Sequence, residues 1–263
     1  MTSQTSEAEP RFPSERAKAI TTLLREQGRV VASELAQRFA VSEDSIRRDL
    51  RDLAAKGACQ RVYGGAVLPV PAAVPFQRRV EQDRSLKGDL AALACTLLQP
   101  GQLVFLDAGS TNLEIARRLP ANAGLTVVTN SPQIAIAAAQ QAGARVVLVG
   151  GDYCAASGAV VGAQALAQVQ RLRVDVGVPG VCAVDAATGI WALDPEDAAL
   201  KRAVVAASAR VIVMASADKL GAQGYFHVAP LSELDDMVVD RLAPPFHRQA
   251  FADAGLAVHQ VGQ

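Results

Sequence analysis

Residues 42–53 read Ser-Glu-Asp-Ser-Ile-Arg-Arg-Asp-Leu-Arg-Asp-Leu, and the fold of the N-terminal part of the chain follows from them. Ile46, Leu50 and Leu53 recur at intervals of four and three residues, which places them on one face of a helix. The arginines and aspartates between them fall on its other faces. The pattern therefore predicts a helix over residues 43–56 that buries its apolar face and leaves most of its cationic side chains in solvent.

Two shorter helices are predicted before this one. Ser14 and Ser33 belong to residue types that cap helices, and apolar residues follow each of them at helical spacing, over residues 15–27 and 34–39. A tight turn at residues 40–42 then leads into the arginine-rich helix. A short helix, a tight turn and an arginine-rich helix in this order are typical of a helix-turn-helix.

A β-hairpin is predicted after the arginine-rich helix. Residues 60–68 form two short extended stretches around Gly64-Gly65, and Val30 and Val31 suit a further short strand. Such a hairpin is the wing of a winged helix-turn-helix, a module whose arginines can grip guanine or neutralise a phosphate of double-stranded DNA. The candidate DNA contacts are Ser33, Ser42, Ser45, Arg47, Arg48, Arg51, Arg61 and Tyr63. The alternative interpretation is a solvated face on which Arg47, Arg48 and Arg51 pair with Asp44, Asp49 and Asp52.

Composition and charge indicate two domains. The chain has 263 residues, half of them apolar, with 26 Lys and Arg against 26 Asp and Glu, which excludes a wholly disordered chain and one that is basic throughout. Residues 14–68 nevertheless carry ten basic side chains against seven acidic ones. We predict a disordered tail over residues 1–13, a winged helix-turn-helix over 14–69, an extended linker over 70–86 and an effector-binding and oligomerisation domain over 87–263. The linker prediction depends on three prolines between residues 69 and 75.

The chain has no feature of a membrane or secreted protein. No apolar run approaches the roughly 20 residues that a bilayer crossing requires, and the polar residues 1–10 do not form a secretory signal. We therefore expect a cytoplasmic protein without a membrane partner. The four cysteines stand far apart, so we expect reduced thiols, no metal site and no cofactor.

The second domain alternates short apolar runs with helical patterns, which predicts an α/β fold with a doubly wound, mostly parallel, Rossmann-like sheet. Strands are expected near residues 103–107, 125–129, 145–149, 174–178, 211–215 and 237–240, and helices over 87–98, 111–119, 132–141, 163–172 and 195–208. Ligands of such sheets bind at the carboxyl ends of the strands.

Polar and glycine-rich segments follow three of these strands. Residues 107–112 read Asp-Ala-Gly-Ser-Thr-Asn, a turn whose glycine and hydroxyls suit a phosphate, and residues 129–132 and 150–152 add further polar positions at that edge. A small-ligand pocket is the interpretation we prefer. The alternative is that the first segment only caps a helix and that Gly150 and Gly151 only serve a turn.

Both parts of the chain resemble one family. Residues 15–50, with Ser-Ile-Arg-Arg-Asp-Leu at 45–50 and Arg-Val-Tyr-Gly-Gly-Ala at 61–66, closely resemble the DNA-binding domain of DeoR-family bacterial transcriptional regulators. The resemblance implies that the helix from Glu43 is the recognition helix and that Asp49 is an internal partner that orients neighbouring arginines. From Lys87 onward the chain looks like the effector domain of that family, which is similar to ribose-5-phosphate isomerase and glucosamine-6-phosphate deaminase folds.

The resemblance implies a repressor of a sugar or polyol catabolic operon that a phosphorylated sugar releases from its operator. It also implies the effector contacts, which are Asp107, Gly109, Ser110, Thr111, Asn112, Thr129, Asn130, Gly151, Lys201 and Lys219. One position departs from the family pattern, because Cys182 stands where many members have an acidic residue, and a thiol is a poor acceptor for sugar hydroxyls. Asp185 and Asp197 are the residues that could compensate.

Two other functions stay open at this point. The first is a sugar-phosphate isomerase or deaminase, which requires a general base, whereas the three histidines all lie late in the chain. The second is an architectural regulator that uses the sheet domain only to assemble. A homo-oligomer, either a dimer or a tetramer, is expected because a helix-turn-helix reads symmetric sites in pairs.

Overall fold

The computed structural model describes residues 13–262. The chain forms two compact units, which divide between Val70 and Pro71. The tail predicted over residues 1–13 lies outside the described residues except for Pro13, which is the first residue of a helix. No helix of the described part is long and apolar enough to span a bilayer.

The first unit is a three-helix bundle with a small antiparallel sheet. Its elements are α1 (Pro13–Gln27), β1 (Arg29–Val31), α2 (Ala32–Arg38), α3 (Glu43–Ala55), β2 (Gln60–Val62) and β3 (Gly65–Val67). The sheet order is β1-β3-β2, so the predicted hairpin and short strand pair with each other. Gly65 has to be glycine, because a Cβ there would lie 2.0 Å from the carbonyl oxygen of Val30.

The apolar face of α3 is buried as predicted. Ile46, Leu50 and Leu53 lie in one core cluster with residues of α1 and α2. Two of the expected caps are wrong, however. Helix α1 begins at Pro13, so Ser14 lies inside its first turn, and α2 begins directly after β1 with no side-chain cap, so Ser33 also lies inside a helix. Each helix includes one residue before the serine, so neither serine occupies the N-cap position.

The extended linker predicted over residues 70–86 is also wrong in its second half. Phe76–Glu81 forms α4, and the next helix, α5 (Arg84–Cys95), begins three residues earlier than expected. Phe76 is 1% exposed in the main core of the second unit, and its backbone N–H donates to the carbonyl of Ala156 at 2.9 Å. The prolines end at Pro75, and the burial of Phe76 stabilises a helix that the local sequence does not favour.

The second unit is a three-layer α/β structure. After α4 and α5, its elements are β4 (Leu103–Leu106), α6 (Ser110–Ala116), β5 (Thr126–Thr129), α7 (Pro132–Ala139), β6 (Arg145–Leu148), β7 (Asp152–Cys154), β8 (Ala159–Val161), α8 (Ala163–Val169), β9 (Val174–Val178), β10 (Ala183–Asp185), β11 (Gly189–Ala192), α9 (Pro195–Ala207), β12 (Ser208–Ala215), β13 (Phe226–Ala229), β14 (Asp236–Val239), α10 (Pro245–Asp253) and β15 (Ala257–Gln260).

Seven parallel strands form the central sheet in the order β15-β14-β12-β9-β4-β5-β6. The six strands predicted from sequence are all present in it, which confirms the doubly wound α/β prediction. Alternate residues of one strand enter different cores: Val104 and Leu106 pack with α5, α6 and α7, whereas Phe105 packs with α8 and α9.

The sequence analysis missed the shorter elements. The hairpin β7–β8, the antiparallel sheet β10-β11-β13, the edge strand β15 and helix α10 were not predicted. These strands have three or four residues each, too few for a period of two to stand out against mixed polar and apolar neighbours. They matter for function because β7–β8 and the loops around β10 lie next to the carboxyl ends of the central strands.

Candidate functional site

The surface of α3 carries the cationic side chains expected to meet DNA. Arg48 and Arg51 are exposed and form no ion pair within residues 13–262. Arg47 instead pairs on its own helix, with Nη2 2.8 Å from Glu43 Oε2 and Nη1 3.4 Å from Asp44 Oδ1. The solvated-face alternative thus describes Arg47 in the free protein but does not describe Arg48 and Arg51.

Asp49 is internal, as the family resemblance implied, but its partner differs from the expected one. It is buried and accepts two hydrogen bonds from Arg16 of α1, from Nε at 2.5 Å and from Nη2 at 3.2 Å. It does not orient the arginines of its own helix. This bidentate ion pair joins α1 to α3 and so holds the arginine-bearing helix α3 on the bundle.

The first turn of α3 and the wing contain the remaining candidate DNA contacts. Ser42 caps α3, with its Oγ 3.3 Å from the N–H of Ser45 and 3.0 Å from the Ser45 hydroxyl. Arg61 and Tyr63 belong to the wing, where the Tyr63 side chain is fully exposed. Exposed polar and aromatic side chains on a two-stranded wing can contact sugar and phosphate groups beside the groove.

In the second unit, a buried polar cluster lies at the carboxyl end of β4. Asp107 follows that strand and is fully buried; its Oδ2 accepts from the N–H of Gly180 at 2.8 Å and from Lys201 Nζ at 2.6 Å. Lys201 also donates to Asp197 Oδ1 at 2.5 Å, one turn earlier on α9. The second oxygen of Asp107, Oδ1, is buried and has no hydrogen-bond partner among the described residues. A buried carboxylate oxygen that accepts no hydrogen bond is rare, and this one is able to accept a hydrogen bond from a bound ligand.

The charges of this cluster stabilise each other. Burial by itself disfavours the ammonium of Lys201, but the carboxylates of Asp107 and Asp197 outweigh it and raise the pKa of Lys201 above its usual range. Burial raises the pKa of Asp197, an effect that the Lys201 charge opposes. Lys201 is therefore a permanent cation held between two acids.

Lys219 is a second cation near the same strand ends. Its Nζ donates to the carbonyl of Val181 at 3.0 Å, and burial lowers the pKa of Lys219 below its usual value. Val181 directly precedes Cys182 in the chain, so Lys219 lies close to the residue that carries this thiol. Asp185 does not compensate for the acidic residue that Cys182 replaces, because its Oδ1 accepts hydrogen bonds within its own turn, among them one from Thr188 Oγ1 at 2.6 Å. Asp197 lies in the cluster, where its Oδ1 accepts from Lys201.

Two further cations, Arg79 and Lys87, were not predicted as site residues. Burial lowers the pKa of Lys87, and the charges of Lys219 and Arg79 lower it further. The Nζ of Lys87 also donates to the backbone carbonyl of Arg79. The Nη2 of Arg79 donates to the carbonyl of Ser157 at 3.0 Å, while its Nε is buried without a partner among the described residues. Lys87 Nζ donates to the carbonyl of Gln82 at 2.6 Å. Both residues fall at or beside the predicted linker, and the only local signal was its basic second half.

Two of the predicted effector contacts hold the backbone of the site. The amide of Asn112 donates to the carbonyls of Asp107 and Val178, both at 2.8 Å, and so ties β4 to β9. Gly151 has a φ of 149°, and a Cβ there would lie 2.9 Å from the carbonyl oxygen of Val161. The glycine is thus required by close packing against β8.

Thr129 and Asn130 have a similar role at the end of β5. Thr129 Oγ1 accepts from the N–H of Ser131 at 3.0 Å. Asn130 Oδ1 accepts from the N–H of Ala108 at 2.8 Å, and its amide donates to the carbonyl of Val160 at 3.5 Å. Both side chains are fully buried, so they fix the strand ends around the cluster.

The turn after β4 differs from its expected geometry. Gly109 has an extended backbone, with a φ of 178°, and no neighbour within 3.7 Å of a built Cβ, so no tight glycine turn is present. The side-chain hydroxyls of Ser110 and Thr111 have no hydrogen-bond partner among the described residues, although both residues are largely buried. These hydroxyls, unlike the amides of Asn112 and Asn130, are available to a ligand.

No group of three or more metal-ligating side chains occurs within residues 13–262. The cluster instead combines an acceptor at Asp107 Oδ1, two free hydroxyls and the cations Arg79, Lys87 and Lys219. Such a set suits a small molecule that carries both hydroxyl groups and an anion.

Comparison with known proteins gives one family for both units. A family model described as "DeoR-like helix-turn-helix domain" matches residues 16–71, and one described as "DeoR C terminal sensor domain" matches residues 82–241.

Two curated relatives and one solved structure show how far the similarity extends. The chain is 33% identical over 251 residues to the HTH-type transcriptional regulator GlpR of Haloferax volcanii, covering 94% of this chain and 97% of that relative. It is 28% identical over 233 residues to the glycerol-3-phosphate regulon repressor of Escherichia coli (strain K12), covering 88% and 92%. Ribose 5-phosphate isomerase A from Methanocaldococcus jannaschii is 17% identical, with a TM-score of 0.38 over 53% of this chain and 55% of that one. With both its helix-turn-helix and its sensor unit matched, the chain belongs to the DeoR family of DNA-binding transcriptional regulators.

Proposed function

We propose that this protein is a repressor that binds the operator of a sugar or polyol catabolic operon and is released from it by a phosphorylated sugar. The observation that carries the effector part is the unpartnered, buried Oδ1 of Asp107. A sugar hydroxyl is the natural donor to that oxygen. The name of one relative, the glycerol-3-phosphate regulon repressor, supports a phosphorylated polyol or sugar as the class of ligand.

The cluster offers separate groups for the two ends of such a ligand. Asp107 and the hydroxyls of Ser110 and Thr111 suit the hydroxyl end. Lys87, Lys219 and the guanidinium of Arg79 suit the phosphate dianion, since charged donors bind phosphate oxygens about twice as strongly as neutral ones. Lys201 is already held by two carboxylates, so we assign it to the positioning of Asp107 and not to the phosphate.

The DNA part of the proposal assigns the recognition of bases to α3. Arg48 and Arg51 are free to enter the major groove, and Arg47 can exchange its pairs with Glu43 and Asp44 for a guanine or a phosphate. The wing residues Arg61 and Tyr63, together with Ser33, Ser42 and Ser45 near the helix starts, are assigned to the sugar-phosphate backbone.

We further propose that the protein acts in the cytoplasm as a homo-oligomer. Helix-turn-helix proteins read two half-sites about one helical turn apart, and this requires at least two copies of the first unit. A dimer and a tetramer both satisfy that requirement.

The test is a fluorescence-anisotropy titration of the full chain on DNA from upstream of its own gene cluster, against a scrambled duplex at the same salt concentration. We expect selective binding that one member of a panel of sugar phosphates releases. Arg48→Ala with Arg51→Ala should remove the selectivity, whereas Arg171→Ala, an exposed arginine of the second unit, should not. The salt concentration is fixed because phosphate contacts make the affinity depend on ionic strength.

The outcomes separate the alternatives. Selective binding that no panel member releases contradicts the effector proposal and favours an architectural regulator. Unchanged selectivity in the double arginine variant contradicts the assignment of α3. Family membership makes the protein a regulator and not an enzyme, so no sugar phosphate of the panel should be turned over.

A further inference from the structure

The outer edge of β6 carries exposed apolar side chains. The strand pairs with β5 on one side only, and no strand pairs with its other side within the described residues. Val147 is 39% and Leu148 is 48% exposed, and Ile136 of α7 and Tyr153 of β7 are exposed beside them. Four of the eight exposed large apolar side chains of this unit therefore belong to this group, which we name the β6 patch (Ile136, Val147, Leu148 and Tyr153).

The patch extends over both faces of the edge strand. Helix α7 packs against β6, and the amide of Gln133, on the first turn of α7, donates to the Tyr153 hydroxyl at 2.9 Å. Val146 packs into the core beneath α7, so Leu148, two residues further along the strand, shares its face. Val147 lies on the opposite face. Both faces of the edge thus expose apolar side chains, whereas exposed edge strands usually carry charges, prolines or bulges that prevent association.

The backbone of the edge is self-complementary. The N–H of Arg145 donates to Leu125 and the N–H of Val149 donates to Thr129, so the odd-numbered residues direct their backbone groups toward β5. The N–H and carbonyl groups of Val146 and Leu148 consequently point outward. Each of these two residues offers one donor and one acceptor, and the two pairs lie symmetrically about Val147. A second copy of the same strand in antiparallel orientation presents the matching acceptors and donors.

The charges at the two ends of the strand favour the same orientation. Arg145 begins β6, while Asp152 begins β7, four residues after the last residue of β6, and both are exposed. Antiparallel pairing of two copies brings each Arg145 toward the end where Asp152 of the other copy lies. Parallel pairing would place like charges together.

We propose that two copies of this chain assemble through β6, whose outward Val146 and Leu148 backbone groups and exposed Val147 pair antiparallel across a two-fold axis. The proposal deepens the homo-oligomer of the proposed function by naming its surface. A two-fold axis perpendicular to the sheet keeps each side chain on its own face, so Val146 faces Leu148 of the other copy and the two Val147 side chains meet at the axis. The two seven-stranded sheets then continue as one.

The first experiment compares the full-length protein with two matched variants by sedimentation equilibrium. Val147→Lys places a charge at the centre of the edge, and Leu242→Lys places one at another exposed apolar position, 69% exposed, outside the patch. We expect the wild type and Leu242→Lys to have the same assembled mass, and Val147→Lys to have half of it. Thermal melting checks that both variants fold.

Three results would overturn the proposal. A monomeric wild type contradicts both this surface and the proposed oligomer. An assembled Val147→Lys variant contradicts the surface alone and leaves the oligomer and the DNA-binding function standing. A loss of mass in both variants shows that the effect does not belong to β6.

A second experiment tests the register without weakening the edge. In a non-hydrogen-bonded antiparallel pair the Cα atoms lie about 4.5 Å apart, within the range that a disulfide spans. Val147→Cys should therefore form a covalent dimer on mild oxidation. Leu148→Cys should cross-link much less, because its opposite residue is Val146. Equal cross-linking of both variants, or of Val147→Cys and the wild type with its four native cysteines, would overturn the register.

Discussion

At the residue scale, only one of the two carboxylate oxygens of Asp107 has hydrogen-bond partners among the described residues. One oxygen binds Lys201 and the N–H of Gly180, and the other is buried without a donor. Gly180 can approach because it has no side chain: a Cβ there would lie 2.8 Å from the carbonyl oxygen of Ala108. The fold thus tolerates an unfavourable group at the place where a ligand hydroxyl can satisfy it.

The first prediction concerns this carboxylate. Asp107→Asn keeps the shape of the side chain but removes the charge that Lys201 pairs with, and it replaces the unpartnered acceptor oxygen by an NH2 group that can only donate. We expect operator affinity to be unchanged and release by the sugar phosphate to be lost, both measured in the anisotropy assay. Asp89→Asn, an exposed acid 3.4 Å from Arg241, is the control and should respond normally. Normal release of the Asp107 variant would contradict the assigned role.

A second prediction concerns the ion pair between Arg16 and Asp49, which holds α3 on α1. Removing one partner of a buried ion pair leaves an uncompensated charge and costs about 3–5 kcal/mol. Asp49→Ala should therefore lower the free energy of unfolding of the first unit by an amount of that order, measured by denaturant titration. Asp44→Ala, which removes a solvent-exposed acid of the same helix, should change it by less than about 0.5 kcal/mol. Equal changes in the free energy of unfolding of the two variants would contradict a stabilising role of the Arg16–Asp49 ion pair.

At the element scale, three strands at one side of the central sheet are joined by a single acid. Asp236 of β14 accepts from Arg210 of β12, from Nε at 2.6 Å and from Nη2 at 2.7 Å, and lies 2.8 Å from Nε2 of His259 on β15. Burial by itself raises the pKa of Asp236, but the hydrogen bonds from Arg210 and His259 outweigh it, so the pKa lies below its usual value.

The third prediction follows from the sign of this shift. An aspartate whose pKa is lower in the folded state than in the unfolded state contributes stability that is fully present above about pH 4 and is lost as the pH falls through the folded pKa. The free energy of unfolding of the second unit should therefore fall between neutral pH and about pH 3, and Asp236→Asn should make that fall smaller. Asp89→Asn should leave the pH dependence of the free energy of unfolding as it is in the wild type. An identical pH dependence of wild type and Asp236→Asn would contradict the assignment.

At the scale of the whole molecule, the boundary between the units decides which residues the proposed effector site includes. The division lies between Val70 and Pro71, so α4 with Phe76 and Arg79 belongs to the second unit. A Cβ on Gly158 would lie 2.4 Å from the Phe76 ring, which shows how closely α4 packs on the hairpin β7–β8. The segment that leads from the DNA-binding unit thus contains a cation of the proposed phosphate site.

The fourth prediction compares two truncations at this scale. Residues 71–263 contain every proposed effector contact and should bind the sugar phosphate as the full chain does. Residues 87–263, which begin where the local sequence pattern places the domain, lack Phe76 and Arg79. Loss of a large buried aromatic side chain costs about 3–5 kcal/mol, so this fragment should be less stable and bind more weakly. Calorimetry of both fragments measures the difference, and equal affinities would contradict a role for α4.

The sequence by itself determined the elements whose pattern repeats locally. The apolar spacing of α3, the glycine pair of the wing and the six apolar runs of the central sheet depend on residues a few positions apart, so each could be recognised without a partner. The strand ends that surround the proposed effector site could be placed for the same reason, because parallel strands end at one edge.

Only the tertiary structure decided which polar groups meet at that edge. It also decided which of them form hydrogen bonds that hold the strand ends together and so are not available to a ligand. Asp49 and its partner Arg16 are 33 residues apart in the sequence, and Lys201 and Asp107 are 94 residues apart. No local periodicity of the sequence indicates contacts over such separations. Asn112 and Asn130 bind backbone carbonyls and amides of neighbouring strands, whereas Arg79 comes to the site because Phe76 is buried three residues before it. Long-range packing sets the position of these side chains, and their chemistry follows from that position.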